Sequence, residues 1–192
     1  MIDVAGVGPG DIKYLTLEVY NAIKEYKTVL AFRRVKESLA SLRDDIVEVS
    51  YGELKGYFNK DDILLLASGD PMFFGISDYL KREGALGRVY TGISSVQLLA
   101  SIIKEPLSNA NLLSAHGREL DYSKIKSNSY MLTDNLNSPA MISKRLYENG
   151  MRGDIIVGFS LSYKDECIKY YKIGDNIEER SPLAVVYIRC EY

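Results

Sequence analysis

The amino-acid sequence predicts an α/β protein with a mostly parallel sheet in its first half and a mixed sheet in its second. Three observations carry that expectation. Strand-like apolar runs alternate with helical patterns up to Ile103, as parallel strands with helical crossovers require. One of those runs, Ile63-Leu64-Leu65-Leu66-Ala67, is apolar at every position, the pattern of a strand buried on both faces. The rhythm then breaks at Lys104-Glu105-Pro106-Leu107-Ser108-Asn109, beyond which the elements are less regular. That break places a domain boundary after Pro106 and predicts domains at 1–106 and 107–192.

The elements follow in order. Ile2-Asp3-Val4-Ala5 reads as the first strand, and Leu15, Val19, Ala22, Ile23 and Tyr26 fall at helical spacing with Thr16 near the helix start. Thr28 to Phe32 is a second strand, followed by a charged helix over about Val35 to Leu42 and a short strand, Ile46 to Val49. After the central run, Ile76, Tyr79 and Leu80 carry a helix that stops at Gly84, and Arg88-Val89-Tyr90 is a fifth strand. Ser94 and Ser95 precede Val96, Leu99, Ala100 and Ile103, an amphipathic helix with a serine at its start. In the second half Asn111 to Ala115 and Tyr130 to Thr133 read as strands. Ser138-Pro139 then opens a helix that closes at Gly150. Ile155 to Phe159, Cys167 to Ile173 and Leu183 to Arg189 are later strands, the last two suited to pairing antiparallel with each other.

Composition narrows the function. A chain of 192 residues that is 46% hydrophobic builds a sizeable core, and a net charge of −2 with interspersed signs leaves no basic face for nucleic acid. No apolar run approaches the ~18–20 residues of a membrane span, and no secretory pattern opens the chain. Cys167 and Cys190 are far apart with no CxxC, and His116 is the sole histidine, so the expectation is a cytoplasmic, metal-free protein with reduced thiols.

Three polar loops at predicted strand ends are suited to a ligand. Gly6-Val7-Gly8-Pro9-Gly10-Asp11 follows the first strand, but the dinucleotide fingerprint GxGxxG fails because Asp11 stands at its third glycine. Asp3 with the three glycines superficially resembles the glycine loop of Rossmann-type methyltransferases, and Pro9 inside the loop argues against it. Ser68-Gly69-Asp70-Pro71 with Met72-Phe73-Phe74 offers a carboxylate beside an apolar surface, suited to a ligand both cationic and aromatic. Asp70 is open to two readings, a cap on its own turn or an acceptor for a ligand. Gly92-Ile93-Ser94-Ser95 is the third loop.

Taken together, Gly6-Val7-Gly8-Pro9-Gly10-Asp11, Leu15-Thr16, Ser68-Gly69-Asp70-Pro71 and Gly92-Ile93-Ser94-Ser95 resemble the tetrapyrrole methylase family over nearly the whole chain. The resemblance implies two α/β domains with S-adenosylmethionine held in the cleft between them. Gly69-Asp70-Pro71-Met72-Phe73-Phe74-Gly75-Ile76, Ile93-Ser94-Ser95-Val96-Gln97 and Ser114-Ala115-His116-Gly117-Arg118 resemble the corrin branch that methylates C5 of cobalt-precorrin-7 in cobalamin biosynthesis. One departure is Gly158-Phe159-Ser160-Leu161, where such proteins usually carry Glu-Asn-Leu-Gly.

By that resemblance Pro9, Gly69, Asp70, Met72, Phe73, Ser94, Ser95 and Val96 contact the cofactor, with Leu132 and Thr133 closing its other side. His116 and Arg118 are the candidate contacts to a corrinoid substrate, Arg118 through a peripheral carboxylate. His116 and Asp70 are the only candidates for acid–base work, and Tyr163, Tyr170 and Tyr171 could flank a flat macrocycle. The reacting tetrapyrrole carbon is itself electron-rich, so the enzyme needs no side-chain nucleophile. The resemblance further implies a homodimer and, at this chain length, a separate C15-methylating decarboxylase. Alternative readings are another member of the family, acting at a different ring position or in the diphthamide pathway, and a non-catalytic S-adenosylmethionine-binding protein.

Overall fold

The computed structural model describes every residue except His116, Arg118, Glu119 and Tyr192. Contacts divide the chain into two units, Met1–Ser94 and Ser95–Tyr192.

In the first unit β1 (Ile2–Gly6) leads through a 3₁₀ turn at Ile12–Tyr14 into α1 (Leu17–Glu25). Thr16 caps α1, its hydroxyl accepting from the Val19 N–H at 3.2 Å. Then come β2 (Thr28–Ala31), α2 (Arg33–Leu39), β3 (Val47–Glu48), β4 (Ile63–Ala67), α3 (Ser77–Arg82) and β5 (Leu86–Tyr90). All five strands are parallel in the order β3-β2-β4-β1-β5, so β4 lies at the centre of the sheet. Its five residues are all buried. Leu64 and Leu66 join the cluster formed by Val19, Ala22 and Ile23 of α1 and Val35 and Leu39 of α2. Ile63, Leu65 and Ala67 join the opposite cluster with Leu54, Ile76 and Leu80. Each such Leu contributes about 1.5–3 kcal/mol on burial, which makes β4 the anchor of the unit.

The second unit contains α4 (Ser95–Ile103), β6 (Asn111–Ser114), β7 (Ser129–Leu132), α5 (Pro139–Glu148), β8 (Gly153–Phe159), β9 (Cys167–Lys172) and β10 (Ala184–Cys190). The sheet is mixed, in the order β6-β7-β10-β8-β9, with β6 parallel to β7 and the other neighbours antiparallel. The expected pairing of the last two strands is therefore corrected. β10 inserts between β7 and β8, and β9 pairs with β8 alone. The burial explains the choice, because β10 buries its first five residues whereas β9 has no fully buried position and suits the sheet edge.

The helix α4 is grouped with this second unit, so the division falls ahead of the boundary expected after Pro106. A Cβ placed on Gly158 of β8 would lie 3.0 Å from Leu99 of α4 and 2.9 Å from Leu161. The Glu105 carboxylate pairs with Arg189 of β10, and the Glu105 carbonyl accepts from the Tyr130 hydroxyl at 2.6 Å. α5 opens as its sequence predicts, with Ser138 accepting from the Met141 N–H and Pro139 at the first helical position. Among the described residues no helix is long and apolar enough to cross a membrane.

Candidate functional site

The connections leaving β1 and β4 run in opposite directions along the first sheet, β1 feeding β2 and β4 feeding β5. Their carboxyl ends are adjacent, which makes this the point of a parallel sheet where ligands bind. Here the two loops are tied backbone to backbone. The Gly69 N–H donates to the Gly8 carbonyl at 2.8 Å, and the Gly8 N–H donates to the Gly69 carbonyl at 3.3 Å. Both glycines have positive φ, 78° at Gly8 and 69° at Gly69, which an L side chain adopts only with strain. The end of β5 closes on the same point. A Cβ on Gly6 would lie 2.6 Å from the Gly69 carbonyl oxygen and 2.7 Å from Gly92 Cα. Three strand ends thus meet through bare backbone.

Asp70 joins two of these loops. Its Oδ1 accepts from the Met72 N–H at 2.7 Å and its Oδ2 from the Gly92 N–H at 3.3 Å. Both carboxylate oxygens accept from backbone donors, so Asp70 positions the two loops. The segment behind it is tightly folded, with the Phe73 N–H donating to the Asp70 carbonyl at 3.1 Å. Phe74 sits at φ 53°, its ring edge-on to Phe73 at 4.9 Å between centroids. A bulky residue in that region is strained, and strain of this kind clusters at ligand sites. The side chain this arrangement presents outward is Met72, 62% exposed. Pro9, Gly92 and Ser94 are buried, while Gly69, Asp70 and Phe73 are partly exposed.

In the second unit the residues expected near the cofactor are Ser95 and Val96 at the start of α4, and Leu132 and Thr133 at the end of β7. Val96 is fully buried, and the Thr133 hydroxyl donates to the Ala184 carbonyl at 2.8 Å. His116 and Arg118 lie outside the described residues. Beside Gly117 the structure reveals an organiser in Asp134. Asp134 Oδ2 accepts from the Gly117 N–H at 2.7 Å, and its Oδ1 accepts from the Leu136 and Asn137 N–H groups at 2.9 and 2.6 Å. Those donors, Gly117 foremost, hold the Asp134 carboxyl below the usual carboxylate range. Asn137 in turn donates to the Ala115 carbonyl at 3.0 Å and accepts from Arg145 at 3.0 Å.

Other candidates have structural partners. Asp3 accepts from the Tyr26 hydroxyl and from the Arg88 N–H at 2.6 Å, so it fastens α1 and β5 to β1. Tyr163 is in a turn, its N–H donating to the Ser160 carbonyl at 2.9 Å, and Tyr170 and Tyr171 lie on the edge strand β9. The segment Gly158 to Leu161 gains a physical account. Ser160 takes φ 46°, and Gly158 leaves the room that Leu161 and Leu99 fill.

The geometry defines an α/β protein whose loops converge at the switch point of a parallel sheet, without the dinucleotide fingerprint. Residues 1–175 match the model of the tetrapyrrole (corrin/porphyrin) methylases, and the chain belongs to that family. It is 30% identical over 187 residues to a probable cobalt-precorrin-7 C(5)-methyltransferase from Methanocaldococcus jannaschii, covering 88% of this chain and 87% of the relative. Its fold matches a precorrin-6Y methylase from Archaeoglobus fulgidus with a TM-score of 0.79 at 20% identity, over 100% and 99% of the two chains. A uroporphyrin-III C-methyltransferase from Thermus thermophilus, complexed with S-adenosylhomocysteine, matches with a TM-score of 0.78 at 25% identity, over 98% and 91%. The chain is accordingly a methyltransferase that uses S-adenosylmethionine. The residues present suit that group. Its sulfonium and adenine call for apolar faces and backbone acceptors, which the exposed Met72, the partly exposed Phe73 and the glycine-lined strand ends supply.

Proposed function

We propose that this enzyme methylates C5 of cobalt-precorrin-7 in cobalamin biosynthesis. The observation that supports it most is the tie between Gly8 and Gly69, reinforced by Asp70, which draws the ends of β1, β4 and β5 together at the switch point. The similarity to the Methanocaldococcus jannaschii relative supports the choice of ring carbon and substrate.

In this reading Pro9, Gly69, Met72, Phe73 and Ser94 of the first unit contact the cofactor, as do Ser95, Val96, Leu132 and Thr133 of the second. Asp70 is a further cofactor contact in this reading, and it also ties the two loops together. S-adenosylmethionine supplies an electrophilic methyl group on a sulfonium. The chain's own work is to orient that methyl towards an electron-rich ring carbon and to keep water away, effects that reach ~7–11 kcal/mol in favourable model reactions. No side-chain nucleophile is required. His116 and Arg118 remain the proposed substrate contacts. A homodimer and a cytoplasmic setting consistent with two free cysteines complete the proposal.

The test is transfer of labelled methyl from S-adenosylmethionine to cobalt-precorrin-7, with the product's methyl position read by NMR. Label at C5 is the expected result. Label at another ring carbon would reassign the substrate within the family, and binding of S-adenosylhomocysteine without any transfer to a corrinoid would favour a non-catalytic binder.

A further inference from the structure

The start of α2 breaks every local preference for a helix N-terminus. The capping position is Phe32, which makes no side-chain cap, and the next two residues are Arg33 and Arg34 with no acid in the first turn. Cations there oppose the helix dipole, and a hydroxyl or carboxylate would satisfy the end better. Sequences tolerate such conflicts chiefly where the side chain has another use. Arg33 is accounted for by Glu37 at 3.0 Å, one helical turn on. Arg34 differs. Its guanidinium donates to the Ser68 hydroxyl at 3.2 Å, and it has no ion pair among the described residues.

The register places this pair at the ligand end of the sheet. Ser68 follows β4 directly, one residue before Gly69, and β2 is hydrogen-bonded to β4 with Ala31 opposite Leu66. Arg34 is therefore one strand away from the loop that Asp70 organises, exposed, and aimed by a neutral hydroxyl rather than neutralised by a carboxylate. At the next strand end Tyr51, 60% exposed, stacks on Phe32 at 4.7 Å between ring centroids. A flat apolar macrocycle edged with carboxylates matches an aromatic face beside an unspent guanidinium, since arginine recognises carboxylates in a planar, two-bonded geometry.

We propose that Arg34, oriented by Ser68, binds a peripheral carboxylate of the tetrapyrrole substrate. The inference rests on the corrinoid reading above and adds a recognition residue to it. Ser68 is the positioning residue of this pair, because its hydroxyl accepts from the guanidinium and orients it.

The experiment is calorimetric titration of the full chain with cobyrinic acid, which carries free peripheral carboxylates, and with its methyl ester, which does not. S-adenosylhomocysteine is titrated in parallel. Arg34→Gln is expected to weaken the acid by about tenfold, the loss of one charge-assisted contact, and to leave the ester and S-adenosylhomocysteine unchanged. Arg34→Lys is expected to recover part of the loss, and Ser68→Ala to cost a few-fold on the acid alone. Equal binding of the acid by Arg34→Gln and the native protein would overturn the subsite, as would an equal loss on acid and ester. A native protein that binds S-adenosylhomocysteine but neither corrinoid would overturn the corrinoid reading itself, and the subsite with it.

Discussion

Asp70 and Gly92 are 22 positions apart in sequence, yet the Gly92 N–H donates to Asp70 Oδ2 at 3.3 Å. With Oδ1 holding the Met72 N–H at 2.7 Å, one carboxylate sets both the loop after β4 and the loop after β5. Replacing Asp70 by Ala removes both acceptors and leaves two amides to find water. The expected result is a loss of about 1–2 kcal/mol in stability and at least a tenfold weaker affinity for S-adenosylhomocysteine. Asp70→Asn should retain one of the two bonds and fall between. Urea unfolding and calorimetry on the same preparations check this. Lower stability with unchanged affinity would mean that these loops lie outside the pocket.

The glycines where the strand ends meet make a sharper case. A methyl group on Gly92 would lie 2.6 Å from the Gly6 carbonyl oxygen and closer still to that of Gly69. Backbone cannot yield as a flexible side chain can. Gly92→Ala should therefore cost upwards of about 1–3 kcal/mol, the usual range for overpacking, and should lower S-adenosylhomocysteine affinity by moving the loops apart. Gly56→Ala is the control, because a Cβ there meets nothing within 4 Å. Thermal unfolding of the two variants side by side gives the comparison.

Much of this arrangement was legible in the sequence, and the limits have physical causes. The run Ile63 to Ala67 announced a doubly buried strand because both faces of β4 are covered, a property local to five residues. The roles of Gly6 and Gly92 were not legible. They exist only because β1, β4 and β5 end at the same point, which no window of sequence contains. The pairing of β10 with β8 was hidden for the same reason, since alternation fixes which face a strand buries but not its neighbour. Asp134 could be seen as a turn residue, while its bond to Gly117 depends on β6 and β7 lying side by side. Arg33 and Arg34 lie ahead of the charged helix expected over about Val35 to Leu42, and their place at its start is a feature of the structure, where α2 begins at Arg33.

Asp134 predicts a pH dependence. Its carboxyl is held below the ordinary value by backbone donors, so its contribution to stability is present above the unfolded value near ~3.9 and fades as pH falls through the lower folded value. Asp11, Asp45, Glu53 and Asp121 are shifted in the same direction, so the acid limb of the native protein is composite. The difference between native protein and Asp134→Asn isolates one group. That difference should be constant from neutral pH down to about 5 and shrink steadily below about 4. Denaturant unfolding across this range is the measurement. A difference that grew towards acid would mean that Asp134 is not the stabilised carboxylate described here.

Met72 separates binding from folding. Its backbone N–H is engaged by Asp70, but its side chain is 62% exposed and contributes little to the core. Met72→Ser should therefore leave unfolding within about 0.5 kcal/mol of the native protein, as surface substitutions do. If the side chain faces the cofactor, the same change removes an apolar contact from the pocket and weakens S-adenosylhomocysteine by several-fold. Leu17→Ser is the matched control, a still more exposed apolar residue at the start of α1, at 76%. Loss of affinity in Met72→Ser but not in Leu17→Ser, at equal stability, would identify Met72 as a cofactor contact. Equal affinity in both would remove it from the site and leave Asp70 as a support for loop geometry alone.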